Sequence, residues 1–171
     1  VIRAVLEADA AAIAAIYAHH VVHGTASFDT VAPSVEDTVA KIARITGAGW
    51  PFLVAERDGA VAGYAYATQF RDRPAYANSC ENSIYVHPAH LGRGIGRALL
   101  ERLIAEAEAF GFRQMIAVIG GGEPASGALH SAAGFAPAGR MKSVGRKFGR
   151  WLDTVYMQRS LGAGDTTPPD A

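Results

Sequence analysis

"ENSIYVHPAHLGRGIGRALLERL", residues 81–103, leads from an apolar strand through three glycines in five residues into an amphipathic helix. A junction of this kind leaves backbone N–H groups unpaired and aims the positive end of the helix dipole at one point, an arrangement suited to a phosphate or pyrophosphate. Gly92, Gly94 and Gly96 carry no side chain that would hold such an anion off. Two common phosphate loops fail on spacing. A P-loop needs a Gly-Lys-Ser/Thr ending, which is missing, and a dinucleotide fingerprint needs a third glycine where Leu99 stands. Taken alone, the turn fits an anion site and a plain glycine-rich helix start equally well.

Working outward, alternation along the strand sets Glu81 on one face with Ser83, Tyr85 and His87. The helix after the turn carries Leu99, Leu103, Ala107 and Phe110 on one side, and "GF" at 111–112 closes it. Upstream, "VIRAV" (1–5) reads as a short strand, and Ile13, Ile16, Tyr17, His20 and Val21 recur at helical spacing up to Gly24. Ser34 stands three residues before Asp37, a capping box that opens a second helix over about 35–46. Asp58-Gly59 between two apolar runs predicts a type I′ hairpin. Downstream, "MIAVI" is a buried strand, 125–133 a helix, and "GFAPAGRMKSVG" and "RWLDTVYMQRSL" two last strands. The order β-α-α-β-β-β-α-β-α-β-β describes an α/β (α+β) fold, a mixed, mostly antiparallel sheet with helices on both faces.

Half of the 171 residues are apolar, enough for one compact domain, expected over 1–161. "GAGDTTPPDA" (162–171) has little to bury and is expected to be a disordered tail. Sixteen Lys and Arg balance sixteen Asp and Glu, which argues against nucleic acid or a membrane surface and for a small-molecule partner. Cys80 is the only cysteine, so an internal disulfide is excluded, and a buried, chemically quiet thiol in a cytoplasmic protein is the expectation. Glu7, Asp9 and the early histidines interrupt the N-terminal apolar patches, which reads against a signal peptide or a membrane span. No metal site is expected.

The flanks of the glycine turn resemble the GCN5-related N-acetyltransferase (GNAT) superfamily. Its pyrophosphate loop, Gln/Arg-x-x-Gly-x-Gly/Ala, corresponds to Leu91-Gly92-Arg93-Gly94-Ile95-Gly96, with Leu91 standing where a polar residue is usual. Within the superfamily the chain is most similar to the phosphinothricin/methionine sulfoximine N-acetyltransferases. The supporting stretches are "TASFDT", "FLVAERDGAVAGYAYA", "ENSIYVHP", "AVIGGGEPASGALHSAAGF" and "VGRKFGRWLDTVYMQ". The element order agrees with that resemblance over nearly the whole chain.

The resemblance implies a GNAT fold, acetyl-CoA as co-substrate and direct transfer to the amine of a small amino-acid-like acceptor. Such an amine is an ammonium ion at neutral pH and must lose a proton to attack, and Glu81 is implied as the general base, directly or through a water. Ile84, Tyr85 and Val86 would hold the pantetheine by strand-like bonds, with a backbone N–H near Val86 stabilising the developing oxyanion. Gly92, Arg93, Gly94, Ile95, Gly96 and Arg97 would wrap the pyrophosphate. Glu123 stands where the family commonly has a cofactor-contacting asparagine, and Ser126 is either a second cofactor contact or a helix-start hydroxyl. His130 matches a recurring histidine, and both a packing and a catalytic role are open. Arg71, Arg73 and Lys147 are candidate cations for the acceptor's acidic groups, with Phe28 and Tyr76 as walls. Trp151 and Asp153 are assigned to scaffold or subunit contact, and a homodimer is implied. Two rivals stand beside this reading: a GNAT acting on another amine (polyamine, antibiotic or protein N-terminus), and a catalytically silent acyl-CoA sensor, suggested by Leu91 and Glu123.

Overall fold

The computed structural model describes residues 1–169. Strands β1 (Ile2–Ala4), β2 (Phe52–Arg57), β3 (Ala60–Gln69), β4 (Ser79–Val86), β5 (Gln114–Gly120), β6 (Ala136–Lys147) and β7 (Arg150–Ser160) alternate with four helices. These are α1 (Ala10–His23), α2 (Val35–Gly47), α3 (Ile95–Phe110) and α4 (Pro124–Ala132), and the chain order is the one expected. The strands form one sheet ordered β1-β2-β3-β4-β5-β7-β6, in which only β4 and β5 run parallel.

Local chemistry sets the ends of these elements. Asp58 and Gly59 both take positive φ (52° and 77°), the type I′ geometry that matches the twist of β2 and β3. Ser34 Oγ accepts from the Asp37 N–H at 3.0 Å and Asp37 Oδ2 accepts from the Ser34 N–H at 3.0 Å, completing the capping box of α2. Gly111 at φ 116° ends α3.

Two cores clamp the sheet. On one face Leu99, Leu100, Leu103 and Ala107 of α3 are buried against Leu53, Ala65, Cys80 and Met115; on the other, Ile13 and Ile16 of α1 and Ile42 and Ile45 of α2 pack on Val54, Tyr64 and Tyr66. Phe110 departs from expectation. It is 45% exposed, because α3 ends at that residue, and the buried ring is Phe112, 4.9 Å from it after the turn at Gly111. Of the C-terminal segment expected to be disordered, 162–167 takes turns and bends, and the Arg113 guanidinium donates to the carbonyls of Gly164, Thr167 and Pro168 at 2.8, 3.2 and 3.0 Å. The rest of the expected tail, residues 170 and 171, lies outside the described residues.

The feature that positions the site is a parting of strands. β4 and β5 pair only at Ser79↔Gln114, Cys80↔Met115 and Glu81↔Ile116. Beyond Glu81 the two separate, although β4 continues to Val86 and β5 to Gly120. From Asn82 onward, alternate backbone groups of β4 therefore face a wedge instead of a neighbouring strand.

Candidate functional site

The glycine turn stands beyond the end of β4, at one side of the wedge. Gly92 and Gly94 adopt φ 72° and 79° with open space where a Cβ would lie, so glycine is required there for conformation. Gly96 sits in the first turn of α3, close to Leu129 of α4 and Val86 of β4. The first turn of α3 has no side-chain cap and no acidic residue, so its N–H groups and dipole are unopposed. Leu91 points to solvent at 57% exposure and takes nothing away from that backbone. Arg93 is exposed, whereas Arg97 is paired with Glu101 at 2.9 Å. The free edge of β4 followed by this turn fits an extended, amide-bearing chain that ends in a pyrophosphate.

Along β4, Val86, Ile84 and Tyr85 stand opposite Gly63, Ala65 and Tyr64 of β3; the backbone of Tyr85 is directed to β3, and that of Ile84 and Val86 to the wedge. The Tyr85 ring is boxed by Tyr17 (centroids 5.1 Å), Tyr64 (5.6 Å) and His20 (5.4 Å), and burial pushes its hydroxyl well above the ordinary tyrosine range. His20 Nε2 donates to the Val86 carbonyl at 2.8 Å, tying the end of α1 to the last residue of β4.

Glu81 occupies the last paired position before the strands part. Its carboxyl is raised above the ordinary range by desolvation, and the charge and hydrogen-bonding capacity of Arg71 oppose that rise. Arg71 Nη1 lies 3.6 Å from Glu81 Oε1 and donates to the Phe70 carbonyl at 2.7 Å, with its guanidinium 4.0 Å from the Phe70 ring centre. Tyr76 meets the same Phe70 ring edge-on at 5.7 Å. Arg73 is exposed, and its carbonyl accepts from Gln69 Nε2 at 3.1 Å. Arg71 and Tyr76 are thus gathered beside Glu81 through Phe70, and the Arg73 side chain is left in solvent.

Across the wedge the lip of β5 is covered by the loop after α1. The Phe28 ring fills the place of absent side chains: a Cβ on Gly145 would fall 2.2 Å from it and one on Gly120 3.0 Å from it, while Thr25 presses on Gly121. Lys147 holds this loop. Its ammonium donates to the Gly24 and Ser27 carbonyls at 2.9 and 2.8 Å in a residue only 6% exposed, and burial lowers its pKa. That placement departs from the expectation of a cation offered to the acceptor, since two of its three N–H groups are donated to carbonyls of the chain. The Tyr17 hydroxyl donates to Asp29 and is 2.7 Å from Ser27 Oγ, fastening the loop to α1.

On the opposite face of the sheet α4 closes the wedge. The carboxylate of Glu123 accepts from the Ser126 N–H at 2.9 Å and so caps α4. His130 is 4% exposed, packs edge-on against Phe135 at 4.9 Å, and is kept below its ordinary pKa by burial, partly offset by the Ser126 carbonyl. Its Nδ1 is 2.8 Å from that carbonyl and its Nε2 is 3.1 Å from the side-chain amide of Asn82.

The structure therefore gathers Glu81, Ile84, Tyr85, Val86, Arg71 and Tyr76 along β4 and the loop before it, with the glycine turn past its end, and sets Phe28 at the lip of β5. Glu123 and Lys147 are committed to internal contacts. Sequence reasoning missed Asn82, His20, Gly145 and the Tyr17–Asp29 contact; the doubled histidine 19–20 at a helix end is the one available signal, and its partner 66 residues away is not readable. Among the described residues no group of three metal-ligating side chains forms, and no helix is long and apolar enough to cross a membrane.

The family model for the acetyltransferase (GNAT) domain matches residues 2–156. The chain is 54% identical over 170 residues to a phosphinothricin N-acetyltransferase of Alcaligenes faecalis, covering 99% of this chain and 86% of that one. It is 41% identical over 170 residues to an L-methionine sulfoximine/L-methionine sulfone acetyltransferase of Salmonella typhimurium, covering 99% and 98%. A solved GNAT-superfamily phosphinothricin acetyltransferase from Sinorhizobium meliloti, in complex with AcCoA, superposes with a TM-score of 0.98 at 48% identity, covering 99% of this chain and 92% of that one.

Proposed function

The chain belongs to the GNAT acetyltransferase family, and from that membership we propose that it moves the acetyl group of acetyl-CoA to the amine of phosphinothricin, methionine sulfoximine or methionine sulfone, with Glu81 as general base. The dependence on acetyl-CoA and the small, amino-acid-like acceptor follow from relatives that match almost the full length. The observation that carries the mechanism is the position of Glu81 at the last β4–β5 pair, where the wedge opens, with a carboxyl raised by burial.

Acetyl-CoA supplies, when bound, an acyl carbon open to attack and a thiolate leaving group. The chain does the rest. The free N–H groups of α3 and the turn at Gly92 and Gly94 hold the pyrophosphate, and the wedge-facing backbone of Ile84 and Val86 aligns the arm by strand-like bonds, with Tyr85 between them anchored to β3. A backbone N–H near Val86 is the donor for the oxyanion, in a strand end fixed by the His20 bond to the Val86 carbonyl and by the His87 N–H bond to the Ala62 carbonyl. Glu81 takes the proton of the acceptor's ammonium group; a raised carboxyl pKa brings it closer to that of the amine and makes the transfer less uphill. Arg71 opposes the burial-driven rise of the Glu81 carboxyl and presents charge to the acceptor's acidic end, with Tyr76 and Phe28 as walls. Met141, Val144, Phe148 and Trp151 are all exposed on the β6–β7 hairpin and form the face through which we place a homodimer.

Release of CoA thiol from acetyl-CoA, measured against phosphinothricin, methionine sulfoximine, methionine sulfone, ordinary amino acids and polyamines, tests the reading. The first three should be preferred. Turnover on polyamines alone would discard the acceptor class, and acetyl-CoA binding without transfer to any amine would promote the sensor.

A further inference from the structure

Asn82 is the first residue of β4 past its last pair with β5, and it is 8% exposed. Period-two alternation turns its side chain away from Glu81, to the face carrying Cys80 and Ile84, where α3 and α4 pack. One atom of its amide is within reach of His130 Nε2; the other is buried with no hydrogen-bond partner among the described residues. A buried amide group left unpaired costs about 1–3 kcal/mol, so a partner for it is expected.

The neighbouring bonds fix which atom is the unpaired one. His130 Nδ1 faces a carbonyl oxygen, Ser126 O at 2.8 Å, so Nδ1 must carry a proton. Burial favours the neutral ring, and a neutral ring protonated at Nδ1 has a lone pair at Nε2. The amide is placed with Oδ1 toward that nitrogen, which would set two acceptors against each other; a half-turn about χ2 exchanges the amide atoms and lets the NH2 donate. The buried atom left free is then the carbonyl oxygen, which needs a donor.

Resting on the acetyl-CoA reading above, we propose that Asn82 is a positioning residue for the acyl donor. The chain Ser126 carbonyl, His130 Nδ1–H, His130 Nε2 and Asn82 NH2 locks the amide, and the Asn82 carbonyl oxygen receives the N–H of the amide nearest the sulfur in the pantetheine arm. That amide is the natural donor at the apex of the wedge, where the thioester must lie to meet an amine deprotonated by Glu81 on the other face. Asn82 thereby sets how deeply the arm is seated.

Two measurements test this. Ring 15N shifts of His130 in the wild-type protein near neutral pH should show Nδ1 protonated and Nε2 as a lone-pair nitrogen; protonation at Nε2 would reverse the donor logic and overturn the proposal. Calorimetric binding of acetyl-CoA should be compared with that of an analogue whose amide N–H nearest the sulfur is replaced by an ester oxygen. The wild type should prefer the amide by roughly three- to tenfold, and Asn82→Leu should bind both alike. A preference that survives in Asn82→Leu overturns the inference and leaves the acetyl-CoA reading standing. Binding of neither ligand by the wild type overturns both.

Discussion

Arg71 Nη1 sits 3.6 Å from Glu81 Oε1, so a cation faces a carboxylate that burial pushes toward its neutral form. The two influences act in opposite directions on the pH at which the base becomes usable. Removing Arg71 leaves desolvation unopposed, raises the Glu81 pKa further and moves the acidic limb of kcat/KM to higher pH. Arg71→Gln should therefore lose more activity at pH 6 than at pH 8.5, while Arg71→Lys should retain part of the wild-type profile. A pH–rate series on both variants checks this, and an unmoved limb would detach Arg71 from Glu81.

The same shift makes a prediction about stability. A carboxyl whose pKa is raised on folding binds more protons folded than unfolded, so stability is lost as pH rises from the ordinary carboxylate range through the folded pKa. Glu81→Gln removes that cost. Its melting temperature should exceed the wild type's at pH 8, and the gap should close toward pH 4, as read by thermal denaturation across that range.

Gly145 is a packing glycine whose backbone needs no positive φ, and a Cβ there would lie 2.2 Å from the Phe28 ring. Gly145→Ala should displace the ring and the loop that carries it, raising the acceptor KM by about tenfold, with a smaller effect on acetyl-CoA. Adding Phe28→Ala removes the clash, so the double variant should resemble Phe28→Ala alone; steady-state KM values for the three variants decide it.

Lys147 is anchored to the Gly24 and Ser27 carbonyls. Lys147→Met would strand both oxygens, at a cost of about 1–3 kcal/mol in a urea titration. If the side chain instead served chiefly as a substrate cation, KM would rise with the urea midpoint unchanged.

Cys80 is fully buried, and desolvation pushes its thiol up to about 12. It should not react with an aromatic disulfide reagent in native protein over an hour at pH 8, and should react as one thiol per chain in denaturant. Rapid native labelling would contradict its place in the core.

Much of this architecture was readable from local chemistry. The Asp58-Gly59 turn, the Ser34–Asp37 cap and the apolar spacing of α3 are signals carried by neighbouring residues, whereas the glycine turn alone reads equally as an anion site or a plain helix start and takes its meaning from its flanks. Phe110 misled because helical periodicity says which face a residue is on and says nothing about where the sheet beneath it stops. Lys147 and Glu123 misled for a related reason: a charged side chain looks available in a sequence, and only the fold reveals the carbonyls and the helix N–H that occupy it. Asn82–His130 and His20–Val86 join residues 48 and 66 positions apart, a relation set by strand register and helix docking that no motif spacing encodes.

The most direct test of the central claim is the rate of thiol release from acetyl-CoA with methionine sulfoximine as acceptor, compared between wild type and Glu81→Gln, alongside calorimetric affinity for acetyl-CoA. A fall in kcat of about 10²–10⁴-fold with affinity for acetyl-CoA within about threefold of wild type is the predicted result. Turnover in Glu81→Gln equal to that of the wild type would contradict the assignment of Glu81 as the base.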